Sequence, residues 1–132
     1  MKSSIQIFLG ASIFLVCAVA SADQAVCDTI RAGYEKTGSA GAKMTKTGYD
    51  FAKDTPKIYT FGTQTCERLR DETVDGQSTT VYREQYRADS GSTDATIWIS
   101  KSSGRLLREE QDGNIVGKGK GHISYRWPAA KP

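Results

Sequence analysis

Ala95-Thr96-Ile97-Trp98-Ile99-Ser100, followed by the turn residues Ser102-Ser103-Gly104, is the stretch whose reading decides the fold. β-branched and aromatic residues alternate over a strand's length and stop at a small, polar turn. Ala95, Ile97 and Ile99 fall on one face, with Trp98 on the other. A strand that ends in so short a turn continues as an antiparallel partner, because a parallel partner needs a crossover of a dozen or more residues.

Working outward, the same grammar repeats. Downstream, Arg105 to Gln111 is the return strand, Asp112-Gly113-Asn114 reads as a turn, and His122 to Trp127 closes the meander with Ile123, Tyr125 and Trp127 on one face. Upstream, Ser90-Gly91-Ser92 is a turn after a strand from Thr79 to Arg87. Asp75-Gly76 is a hairpin signal after the polar strand Thr65 to Asp71, and Lys57 to Phe61 is rich in strand formers. No helix separates these strands, so the sheet is expected to be antiparallel, with one apolar face.

Before the strands, Asp23 to Lys36 carries apolar residues at helical spacing: Ala25, Val26, Ile30 and Gly33-Tyr34. Asp23 suits the cap, and Thr37-Gly38-Ser39-Ala40-Gly41 suits the stop. The expectation is an α+β domain: an N-terminal helix packed on a curved, antiparallel β-meander.

The first residues give the context. Lys2 precedes a 16-residue stretch, Ile5 to Ala20, that holds no charge, and Ala20-Ser21-Ala22 supplies the small residues of a cleavage site. This is the pattern of a secretory signal peptide cut after Ala22, and the run is short of the ~20 residues that span a bilayer. Cys17, preceded by Val16, reads as part of the apolar region rather than as a lipid attachment site. Residues 23–132 then form a single domain of ordinary size. Loss of Lys2 with the leader brings the net charge from +3 to +2, too weak to argue for nucleic acid. No later segment is long and apolar enough to cross a membrane, so membrane contact is peripheral or none, and a monomer is expected.

Cys27 and Cys66 remain, and in an exported chain they read as one disulfide that offsets a thin core by about 4 kcal/mol. No metal site and no cofactor are expected: C-x-x-C is absent, and His122 is the only histidine. No catalytic residue is assigned either. Glu109-Glu110 and Asp71-Glu72 are adjacent on strands, point to opposite faces and read as solvated edges. Gly117-Lys118-Gly119-Lys120-Gly121 lacks the spacing and following helix of a phosphate loop and reads as a basic hairpin tip. Among the aromatics, Tyr82 and Tyr86 share one strand face, and Tyr125 and Trp127 share another. They pack across strands, stack on bases or sugars, or line a concave face that takes a ligand. The candidate ligand face is Tyr82, Tyr86, Ile97, Ile99, Tyr125 and Trp127.

Thr65-Cys66-Glu67-Arg68-Leu69-Arg70-Asp71-Glu72, Val74-Asp75-Gly76, Val81-Tyr82, Ile97 to Gly104 and Leu107-Arg108 together resemble small periplasmic proteins of Gram-negative bacteria. The tryptophan-bearing hairpin is similar to one in the LolA/LolB lipoprotein-carrier family. The resemblance covers about residues 65–127. It implies a half-barrel with helices over its concave face, a periplasmic location, and a groove for acyl chains. The cysteines at 27 and 66 look like that group's pair. This chain is much shorter than a carrier and offers no counterpart for the carriers' essential arginine, so no functional residue transfers. The resulting expectation is a non-enzymatic periplasmic binding protein for an acyl chain or other apolar ligand. The alternative is a protein-interaction module, an inhibitor or envelope-stress accessory protein, whose partner is an envelope protein.

Overall fold

The structure is a computed structural model that describes residues 24–39 and 41–128. The leader with its cleavage site after Ala22, Cys17 and the capping Asp23 lie outside the described residues.

Six strands form one curved antiparallel sheet: β1 (Lys43–Gly48), β2 (Thr63–Val74), β3 (Gln77–Ala88), β4 (Gly91–Ser100), β5 (Leu106–Ile115) and β6 (Gly119–Arg126). Their order is β1-β6-β5-β4-β3-β2. β2 to β6 are a plain meander, and β1 adds itself to the far edge of β6, pairing Lys43 with Arg126 and Gly48 with Gly121. Two helices accompany the sheet: α1 over residues 24–37 and α2, Thr55–Phe61.

Each face of β4 carries its own cluster. Ala95, Ile97 and Ile99 pack with Leu106 of β5 and with Cys27 and Ile30 of α1. Trp98 packs on the opposite face with Val74, Val81 and Leu107. A third cluster joins Phe51, Ile58 of α2, Ile115 and Ile123 on the α1 side of the sheet. Cys27 and Cys66 are disulfide-bonded, with Cα atoms 5.4 Å apart, which ties α1 to β2. Thr37 makes a second tie. Its hydroxyl donates to the Gly33 carbonyl and accepts from the Leu106 N–H, at 2.7 and 2.8 Å.

Three expectations from sequence are corrected, and one strand joins that was not expected. Lys57 to Phe61 is not a strand but most of α2. Pro56 stands in the first turn, where its missing N–H costs nothing, and burial of Ile58 outweighs the strand preference of the neighbouring β-branched and aromatic residues. Asp112-Gly113-Asn114 is not a turn but continues β5, and the reversal comes at residues 116–118. Gly113 is there for contact: a Cβ at this position would lie 2.4–2.5 Å from the Phe51 ring. A Cβ on its cross-strand partner Gly121 would run into the Tyr49 carbonyl and lie 3.1 Å from the Phe51 ring, so both glycines leave room for the segment that carries that ring. The turn expected at residues 90–92 is shorter, Asp89 and Ser90, with Gly91 already in β4. Finally β1, an exposed edge strand whose one apolar side chain, Met44, is itself exposed, has no alternation of apolar residues to announce it.

Candidate ligand cavity

The register of the sheet decides which side chains meet. Tyr82 faces Ile97 and Ile97 faces Glu109; Glu84 faces Ala95 and Ala95 faces Gln111; Gln64 faces Tyr86. Tyr125 of β6 stands opposite Glu109. All of these lie on the face that carries α1 and α2. There Gln64, Glu84, Tyr86, Glu109, Gln111 and Tyr125 border a cavity of about 560 Å3, whose lining includes Arg31 and Tyr34 of α1, Tyr59 of α2, and Trp127 beyond β6.

Aromatic rings make the walls. Tyr59 and Tyr86 meet with ring centroids 4.5 Å apart, and Tyr125 stacks on Trp127 at 5.7 Å. The Trp127 indole donates to the Gly38 carbonyl at 3.2 Å and so fixes the end of β6 to the end of α1.

The floor is polar. The Tyr34 hydroxyl donates to Oε2 of Glu109, the Gln64 amide donates to Oε2 of Glu84 at 2.8 Å, and the Gln111 amide donates to the Tyr59 hydroxyl at 3.3 Å. Glu109 is only 4% exposed, and burial pushes its carboxyl up to about 7 despite the bond from Tyr34. Burial also raises Glu84, against the opposing pull of Gln64 and the Arg31 charge. Tyr59 is pushed up to about 12 by burial and by the nearby Glu109, and burial and Glu109 likewise raise Tyr34 far above its ordinary value. The phenols of the cavity are therefore proton donors throughout the physiological range, and its carboxyls are the groups that titrate.

Of the six residues expected to form a ligand face, Tyr86, Tyr125 and Trp127 line the cavity. Ile97 and Ile99 belong to the same face but are sealed in the cluster under α1, with Tyr82 against them. The reading of Glu109 as a solvated edge residue is corrected: it points inward, and only its neighbour Glu110 faces outward. Glu84 was visible in principle, since it lies between Tyr82 and Tyr86 on their own face. Glu109 was harder. Its phase is set by Ile115 at the end of the strand, and the extra residue Leu107 shifts the pairing between Trp98 and Ile99. Tyr59 was lost with the helix that carries it.

His122 stands on the outer face. Its Nδ1 lies 2.8 Å from Asp112 Oδ1, and that contact holds its pKa above the ordinary value. Lys118 of the glycine-lysine run reaches back to Asp54 at 3.2 Å. Among the described residues no three His, Cys, Asp or Glu side chains are grouped to hold a metal ion, and no helix is long and apolar enough to cross a membrane. No family model matches the chain, and no curated protein or solved structure matches it.

Proposed function

We propose that this chain is a non-enzymatic binding protein of the periplasm whose cavity takes the apolar body of a small ligand, an acyl chain or a comparable group. In this reading the curved sheet is a half-barrel, the leader is removed after Ala22, and α1 serves as an N-terminal cover stapled to the sheet. The observation that carries the proposal is the cavity itself. Its 560 Å3 fall within the ~300–1,000 Å3 of small-molecule sites, and its walls are aromatic with a few convergent polar groups. The disulfide supports an oxidising compartment. The half-barrel and the acyl ligand draw on the resemblance of residues 65–127 to the lipoprotein carriers.

A neutral fluorophore that brightens in apolar surroundings tests the proposal. Saturable uptake of one dye per chain is expected, lost in Ala52→Trp, which places an indole in the cavity wall. A dye that stays dim with the wild-type protein overturns the reading and moves weight to the interaction module. Fractionation of expressing cells, with a mature N-terminus at Asp23, is the expected result for location.

A further inference from the structure

The cavity holds more negative charge than its own residues answer. Among the described residues Arg31 is its one cationic lining residue, against Glu35, Glu84 and Glu109. The hydrogen-bond partners of the two inner carboxylates are neutral: a phenol for Glu109 and an amide for Glu84. A desolvated carboxylate costs several kcal/mol unless it is paired with a cation or takes a proton. The empty cavity answers with a proton, since Glu109 ionises only near neutrality. A bound cation answers without one.

We infer that the ligand of this cavity is a small organic amine, its ammonium seated between Glu84 and Glu109 and its apolar body against the rings of Tyr86 and Tyr125. The inference rests on the binding reading above and gives that ligand its polar end. Tyr34 holds Oε2 of Glu109, and among the described residues Oε1 has no partner, so one oxygen remains for a donor. The paired rings of Tyr59 and Tyr86 add faces that attract a cation. A carboxylate head would instead bring a third negative charge beside these two. A neutral hydroxyl would leave Glu109 with its proton and Glu84 with the Arg31 charge alone.

Three probes of equal length separate the possibilities: octylamine, 1-octanol and octanoate, each displacing the neutral fluorophore from the disulfide-bonded mature protein. At about pH 8 octylamine is expected to bind roughly tenfold more tightly than octanol, the scale of one charge-assisted contact, and octanoate more weakly than octanol. Glu84→Gln with Glu109→Gln should erase the preference for octylamine over octanol. Wild-type protein gives a second readout that needs no variant. Octylamine stays cationic across this range, as a lysine ammonium does. Its affinity should fall about tenfold from pH 8 to about pH 5.5, because the amine must displace the proton on Glu109, while that of octanol stays flat. Around Glu109 stand Tyr34 of α1, Tyr59 of α2, Glu84 of β3, Tyr125 of β6 and Glu110 of its own strand. The tyrosines are all held above their ordinary values and do not titrate in this window, and Glu110 is held below its own.

Equal affinity for the three probes, a preference for octanoate, or an amine preference that ignores both pH and the double substitution would overturn the amine inference and leave the binding proposal standing. Failure of dye and probes alike would overturn both.

Discussion

Glu109 and Glu110 are neighbours on β5, identical in chemistry, and they end on opposite faces of one sheet. Burial lifts Glu109 to about 7. Burial pushes Glu110 up as well, but Ser124 and the Arg108 guanidinium outweigh it, and its pKa falls below the ordinary value. Arg108 Nη2 lies 3.3 Å from Glu110 Oε1, and the guanidinium also covers the Trp98 ring, 4.6 Å from its centroid. On that outer face further charges are paired: Arg83 with Asp94 at 2.6 Å, and His122 with Asp112 at 2.8 Å. On the inner face carboxylates meet phenols and amides. The outer carboxylates have cations of their own beside them, even though Trp98 Nε1, Arg108 Nε and Glu110 Oε2 stay without hydrogen-bond partners there among the described residues, whereas the inner carboxylates are left to a phenol and an amide. That difference is physical grounds for seeking the ligand inside.

The two faces also differ in how they are held, and the largest expected effect follows. The disulfide lies entirely on the inner side and joins residues 39 apart in sequence. Replacing Cys27 and Cys66 by serine should cost about 4 kcal/mol and lower Tm by about 15 °C or more, on the chain-entropy account. Calorimetry on oxidised and doubly substituted protein measures it. A difference within about 3 °C would mean that burial of Ile30 and the hydrogen bonds of Thr37 and Trp127 secure α1 without the disulfide.

Close packing is the next point of contrast. Gly113→Val drives a branched side chain into the Phe51 ring, which is fully buried, and should cost about 3 kcal/mol or more. One residue on, Asn114 is exposed, and Asn114→Ala should stay within about 0.5 kcal/mol. Urea melts of both variants make the comparison. Similar midpoints would show that Phe51 leaves its seat without penalty, and the inner face would then be looser than its packing indicates.

How much of this was legible follows from the same residues. The meander was legible because Val, Ile and Tyr alternate in β3 and β4, and because Asp75-Gly76, both at positive φ, has the chemistry of a tight hairpin. The opposition of Ile97 and Trp98 followed from strand parity alone. Three parts were not legible, each for a tertiary reason. Gly113 looks like a turn residue until Phe51, 62 positions earlier, is known to lie on it. Lys57 to Phe61 has the composition of a strand, and only the pocket that buries Ile58 makes it a helix. β1 carries one apolar side chain, the exposed Met44, and depends on the open edge of β6 for its partner. The acidic floor fell between these errors. Ending β5 at residue 111 removed Ile115, the apolar residue that shows Glu109 to be on the inner side.

The smallest effect is the sharpest test of the two faces, because it predicts opposite signs. Glu109 has a folded pKa of about 7 against an ordinary 4.5, so between those values the folded state holds more protons than the unfolded one. Stability should therefore be greatest below about pH 4.5, fall as the pH rises to 7, and level off above, by at most about 3 kcal/mol from this group. Glu109→Gln abolishes that slope and makes the unliganded protein more stable at pH 8 than the wild type, while changing little at pH 4.5. Glu110 runs the other way. Its folded pKa is lowered, so its contribution is present above the unfolded pKa and disappears as the pH falls through the folded one. Glu110→Gln should weaken the protein at pH 8, by the ~0.2–1 kcal/mol of a partly exposed pair, and leave it unchanged in strong acid. Denaturant melts at three pH values resolve both signs. If the two substitutions shift stability in the same direction at pH 8, the carboxylates share one environment, and the inner face loses its claim to an unanswered charge.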